Sequence, residues 1–246
     1  MKVVVISLKK AVERRERVTS IMAKKGIRFD FFDAIDGRIG LPEDLQHCPD
    51  DMHRIIFRSR PLSLGEKGCF ASHYRLWQQC VELNQPILIL EDDFYPTDSF
   101  DSALSQIDET FKELEYLKIE TFITPFCKLQ KPTNTLQLSL LLDNSKGATG
   151  YALSPSGAKK LLAHAERWTC AVDNYISYSY IHGVTNFGLT EPAIFAPHDL
   201  GTYIQLGENT KKTPLYFKLT RELHRFYRFV RLSAYNRKLK RMLPIE

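Results

Sequence analysis

Glu91, Asp92 and Asp93 are three consecutive carboxylates that follow directly on four aliphatic residues, Ile87, Leu88, Ile89 and Leu90. Adjacent carboxylates repel one another and cost folding energy unless a cation sits among them. A hard divalent metal with oxygen ligands is the first candidate for that cation; a solvated acidic turn is the competing reading. The abrupt change from apolar run to triple acid favours the metal. Other residues able to do chemistry are scattered. Asp173 stands at a helix entrance, which is also the place of an N-cap. His73 lies a turn before Trp77 and either faces a site or is a satisfied core histidine. His198 and Asp199 offer two more ligands. His47, Cys48, Asp50, Asp51 and His53 crowd together, but their spacing matches no zinc pattern, and a surface loop is expected there.

These residues need a frame. The apolar run 87–90 fits a strand buried on both faces of a parallel or mixed sheet. The three acids then lie at its carboxyl end, where open α/β sheets bind ligands. Residues 3–8 are rich in β-branched side chains and form a first strand. Residues 11–25 form a helix closed by Gly26, and residues 29–34 a second strand ending in the turn Ile35-Asp36-Gly37. Strand, helix and strand of these lengths make a βαβ unit. It brings Leu8, Arg14 and Asp36 to one edge as nucleotide contacts, although for Arg14 the residues alone favour a solvated helix arginine. Residues 41–61 carry no period and are expected to be irregular or short helices. Ser63-Leu64-Gly65-Glu66 is a capping box that opens a helix running to about Leu83. A polar helix over 97–117, strands over 117–126 and 136–142, and a helix over 156–165 behind Ser154 and Pro155 follow.

The chain of 246 residues is long enough for one large α/β unit with appendages. From Lys211 onward there are 11 basic and 2 acidic residues, a net of +9; taken from the chain's +5, this leaves −4 for the rest. The sequence therefore divides into a domain over 1–210 and a basic amphipathic segment over 211–246. In that segment Leu219, Leu223, Phe226 and Val230 form one stripe, and Arg221, Arg225 and Arg228 another. A basic amphipathic helix with aromatics suits an anionic membrane surface. Nucleic acid is the weaker partner because no recognition module accompanies the helix, and docking on the body is the third reading. Five cysteines, odd in number and without a C-x-x-C pair, point to reduced thiols in a cytosolic protein. No stretch reaches the roughly 20 apolar residues of a membrane span, and residues 1–8 make no secretory signal.

Several of these stretches together resemble glycosyltransferase family 25, the lipooligosaccharide galactosyltransferase family. Val5-Ile6-Ser7-Leu8 with Arg14-Arg15-Glu16-Arg17 resembles its opening, as does Ala34-Ile35-Asp36-Gly37. More specific are residues 64–73 (LGEKGCFASH), followed by Ile89-Leu90-Glu91-Asp92-Asp93. Residues 150–154, residues 157–162 and Val172-Asp173 complete the order, so the likeness covers residues 1–205. It implies a GT-A-like α/β fold with a mixed, mostly parallel central sheet, followed here by the basic helical tail. It also implies a UDP-sugar donor (UDP-galactose most often), a divalent metal such as Mn2+, inversion at the sugar carbon, and a bacterial glycolipid acceptor. Glu91-Asp92-Asp93 then takes the place of the D-x-D motif, with Glu in its first position. The expected location is the cytoplasm, peripheral on the cytoplasmic face of the inner membrane.

In such a transfer a metal neutralises the charge developing on the leaving diphosphate. Asp93 is the expected direct ligand, with Glu91 and Asp92 assisting through metal or ribose contacts and His198 as a further ligand. A carboxylate must also take the proton of the attacking hydroxyl; Asp173 is the expected base, with His73 behind it. Two competitors fit the same residues: a glycoside hydrolase using paired carboxylates, and a non-catalytic, membrane-associated sugar- or nucleotide-binding module.

Overall fold

β1 (Lys2–Ser7), α1 (Val12–Lys24) and β2 (Asp30–Asp33) form the βαβ unit that the spacing predicts, with β1 and β2 parallel and Ser7 opposite Asp33. The computed structural model describes residues 1–111, 114–130, 136–197 and 215–245. The apolar run becomes β3 (Ile87–Glu91), parallel to β1 on the side away from β2. Its side chains divide as a doubly buried strand requires. Ile87 and Ile89 point into a core with Val4, Ile6, Phe70 and Trp77, while Leu88 and Leu90 point into another with Val3, Val5, Val18 and Met22. The helix α3 (Leu64–Leu83) covers the first face and α1 the second.

The sheet continues through β5 (Tyr116–Lys118), β6 (Phe126–Lys128), β7 (Leu138–Leu141), β8 (Gly150–Leu153) and β9 (Asn186–Leu189), in the order β2-β1-β3-β8-β5-β9-β7-β6. Pairing directions make it mixed: β8 and β7 run against the other six. A small second sheet pairs β4 (Tyr95–Pro96) with β10 (Ile194–Phe195).

Three expectations need correction. The helix expected over 97–117 is α4 (Phe100–Thr110) only, because Tyr116 and Leu117 belong to β5 in the core. The strand expected over 117–126 breaks after Lys118, and Pro125, which has no N–H for a ladder, precedes the short β6. β8 was not anticipated: four buried residues directly before the N-cap Ser154 give no period to read. Within 41–61 the chain forms a 3-10 turn (Glu43–Leu45) and α2 (Asp51–Arg58). The acids there serve local structure rather than a loop surface: Asp50 caps α2 through His53 N, and Asp51 accepts from Leu62 N and Lys67 Nζ.

α5 (Pro155–Leu162), α6 (Val172–Ile176) and α7 (Ser179–His182) complete the body. α8 (Leu215–Met242) lies across it, packed on α2 and α7. Beyond its end, Ile245 bridges to Leu129 beside β6.

Candidate active site

β1 and β3 are parallel neighbours whose chains leave in opposite senses, and α1 and α3 flank them on opposite faces. A crevice must open at their carboxyl ends. It is lined by Ser7, Leu8 and Arg14, by the turn Asp36-Gly37, and by Glu91, Asp92 and Asp93.

The three acids meet three different environments. Asp92 is nearly buried, and both carboxylate oxygens are engaged: Oδ2 accepts from Ser7 Oγ at 2.6 Å and Oδ1 from Arg14 at 2.9 Å. Arg14 is thus not a solvated helix arginine. One turn along α1, Arg17 donates to the backbone carbonyls of Asp92 and Phe94 and lies 4.3 Å from the Tyr95 ring. Glu91 accepts from His73 Nε2 at 3.1 Å and from Cys69 Sγ at 3.6 Å. Burial pushes its carboxyl up, but the hydrogen bonds from His73 first, then Cys69, outweigh that and hold it below the usual range. Asp93 has no such side-chain donor, and among the charges near it only that of Arg14 draws its carboxyl down. Burial first, then the charges of Glu91 and Asp92, push its carboxyl up to about 7, and its buried Oδ1 has no hydrogen-bond partner.

A carboxylate oxygen left unpaired in a buried, acidic place is where a hard cation fits. Asp93 therefore suits a divalent metal, with Glu91 beside it, whereas the oxygens of Asp92 already have partners. Cys69, His73 and Glu91 also bring ligand atoms within 4.8 Å of one another, but they use them on one another.

His73 needs correction as a second base. It is fully buried, and both ring nitrogens are occupied. Trp77 Nε1, which can only donate, gives its proton to Tyr151 Oη at 2.9 Å. The Tyr151 hydroxyl then donates to His73 Nδ1 at 2.7 Å, and Nε2–H donates to Glu91. His73 is a positioning residue for Glu91.

Asp36 accepts from Lys10 and Arg38, and Arg38 first, then Lys10, hold its carboxyl well below the usual range. Its turn presses on the start of α3, where a Cβ on Gly68 would collide with Ile35 O and Gly37 N. Leu8 lines the crevice, and its carbonyl accepts from Ala11 N and Arg15 Nε. Asp173 is the second residue of α6 rather than its N-cap, which is Ala171. Its Oδ1 is held by Asn174 N and Nδ2 at 2.7 and 2.9 Å. Its charge acts on Cys69 and on Tyr116, so it stands near the acidic cluster. His198 and Asp199 lie outside the described residues.

Sequence reasoning did not single out Ser7, Tyr151 or the buried pair Lys118 and Glu120. Lys118 Nζ donates to the carbonyls of Lys146 and Gly147, Glu120 accepts from Thr149 N, and Glu91 N donates to Thr149 O. The loop behind the acids is thereby fastened to the core. Two opposite charges at alternate positions, Lys118 ending β5 and Glu120 just beyond it, were the available signal.

Residues 1–176 match the model of the family described as Glycosyltransferase family 25 (LPS biosynthesis protein). The chain is 34% identical over 171 residues to lipooligosaccharide biosynthesis protein lic2B of Haemophilus influenzae, covering 65% of this chain and 62% of that one. It is 28% identical over 165 residues to procollagen galactosyltransferase 2 of Homo sapiens, covering 64% and 26%. The chain thus spans less than two thirds of the length of these relatives. A solved Drosophila β-1,4-galactosyltransferase 7 mutant with manganese, UDP-Gal and xylobiose aligns with 89% of this chain and 79% of that one. Its sequence identity is 11% and its TM-score 0.43, too low to carry an argument.

Proposed function

The chain belongs to glycosyltransferase family 25, and from that premise we propose that it moves a hexose from a nucleoside-diphosphate donor to a sugar hydroxyl, with inversion. In this reading the donor is UDP-galactose, the acceptor is a lipooligosaccharide glycan, and the architecture is GT-A-like. The names of the relatives, lipooligosaccharide biosynthesis protein and procollagen galactosyltransferase, support the sugar and acceptor classes. One observation carries the reaction: the buried Oδ1 of Asp93, without a hydrogen-bond partner, at the carboxyl end of β3 in the crevice lining.

Asp93, with Glu91 beside it, would hold the divalent cation, Mn2+ in this reading, whose chemistry is to offset the negative charge of the departing diphosphate. Arg14 and Ser7 fix Asp92, which closes the crevice where the nucleotide would lie. Leu8, Arg14 and Asp36 supply nucleotide contacts from the β1 and β2 ends. Asp173, oriented by Asn174, takes the proton of the acceptor hydroxyl as its oxygen attacks the anomeric carbon opposite the leaving diphosphate.

Calorimetric titration with UDP, with and without Mn2+, and UDP release over a panel of nucleotide sugars test the reading. UDP binding should require the metal, and Asp93→Asn should lower UDP release by about 100-fold or more, the size expected for removing a main electrostatic stabiliser. Near-normal release in Asp93→Asn would sink the metal assignment. Sugar hydrolysis without nucleotide would point to a glycosidase, and UDP binding without release from any donor to a binding module.

A further inference from the structure

α8 has an inner face that the body uses and an outer face that nothing described above uses. Inward, Thr220 Oγ1 donates to Ile56 O, His224 packs 5.0 Å from the Phe57 ring, and Asn236 donates to Leu142 O. Arg228 lies 4.4 Å over the Tyr178 ring. These contacts recur on one side of the helix. On the other side Leu219, Leu223, Phe226 and Val230 follow one another at intervals of three and four residues, and Phe229 flanks them. They are 64%, 60%, 67%, 46% and 68% exposed. The stripe lies beyond residues 1–176, which match the family.

We propose that α8 lies in the interface of an anionic bilayer, docking the protein on a membrane surface through this stripe. Charge decides the partner. The helix holds nine Lys and Arg residues against one acid, Glu222, and Glu222 is already paired with Arg221 and Arg225. Past Val230 the stripe passes through Ala234 and turns basic at Arg237 and Arg241. Large apolar side chains in a row, flanked and prolonged by cations, enter the headgroup boundary while the cations meet lipid phosphates. A second copy of this chain would bring nine cations against nine, and a nucleic acid has no place for exposed Leu and Phe. Among the described residues no helix is long and apolar enough to cross a membrane, which fits a helix lying in the surface.

The inner face of α8 meets α2 and α7, and Arg58 of α2 bonds Asn174, next to Asp173. The membrane would therefore lie on the flank of the proposed base. That consequence rests on the proposed reaction; the docking does not.

The test is sedimentation of the intact protein with vesicles of phosphatidylcholine alone or mixed with phosphatidylglycerol. Binding should be about tenfold or more tighter to the anionic vesicles, since each basic residue near such a surface adds attraction, and should weaken with salt. Leu223→Glu/Phe226→Glu should abolish it with thermal unfolding unchanged, because both side chains are exposed. Lys240→Glu/Arg241→Glu should weaken binding to the anionic vesicles alone. Equal affinity for both vesicles, binding to neither, or full binding by Leu223→Glu/Phe226→Glu would overturn the proposal. So would a dimer that the Leu223→Glu/Phe226→Glu variant splits, or retention on duplex DNA without vesicle binding.

Discussion

Asp93 differs from its two neighbours in what faces it. Asp92 meets Arg14 and Ser7, Glu91 meets His73 and Cys69, and Asp93 meets the charges of both other acids. Its folded pKa of about 7 stands above the ordinary 3.8. The sign follows: the unfolded chain ionises first, so this group's contribution is fully present below pH 3.8 and is lost as pH rises towards 7. At full ionisation the loss is on the order of 4 kcal/mol. Asp93→Asn, measured by thermal unfolding in chelator at pH 8, should therefore melt higher than the wild type, by roughly 10 °C. The gap should close near pH 4. Mn2+ should raise the melting temperature of the wild type and leave that of the variant in place. A variant no more stable than wild type at pH 8 would contradict the uncompensated charge.

At the scale of elements, the start of α3 sets both a helix and a wall of the crevice. Ser63 Oγ accepts from Glu66 N at 3.1 Å and Glu66 answers to Ser63 N at 2.8 Å, while Arg60 and Arg54 hold the Glu66 carboxylate. Ser63→Ala should cost about 1 kcal/mol of stability and leave UDP affinity unchanged. Gly68→Ala acts differently, since its Cβ would push the Asp36-Gly37 turn away from the helix. It should cost about 1–3 kcal/mol and also weaken UDP binding. Denaturant titration paired with calorimetry separates the two; equal UDP affinity in both variants would remove the turn from the nucleotide wall.

For the whole molecule, acid sensitivity is written into the layer under α8. His182 is buried on α7, its Nδ1 accepting from Val184 N while Nε2–H faces the carbonyls of Tyr175 and Ile176. Burial pushes it down to about 4 from 6.5. Here the unfolded chain takes the proton first, so the contribution is present above pH 6.5 and lost as pH falls towards 4, by roughly 3 kcal/mol. His182→Gln should be less stable at pH 7 and show a shallower fall in stability between pH 6.5 and 4. An unchanged slope in urea titrations across that window would exclude His182 as the source.

Much of this was legible in the residues. The run Ile87 to Leu90 ending in three acids is a local pattern, and a doubly buried strand with its acids at the ligand edge follows from it. The capping box at Ser63 and the helix stop at Gly26 are equally local. The strand β8 was not legible, because four buried residues carry no period and only neighbours on both sides make them a strand. The role of His73 was not legible either, since Trp77, Tyr151 and Glu91 come together only when α3, β8 and β3 pack. Sequence by itself determined that three carboxylates would stand at the end of a buried strand and that something cationic had to meet them. Only the tertiary structure decided which partner met which acid. Arg14 reaches Asp92 because α1 crosses β1 beside it, His73 reaches Glu91 because α3 covers the opposite face, and Asp93, between the two, is left for a ligand.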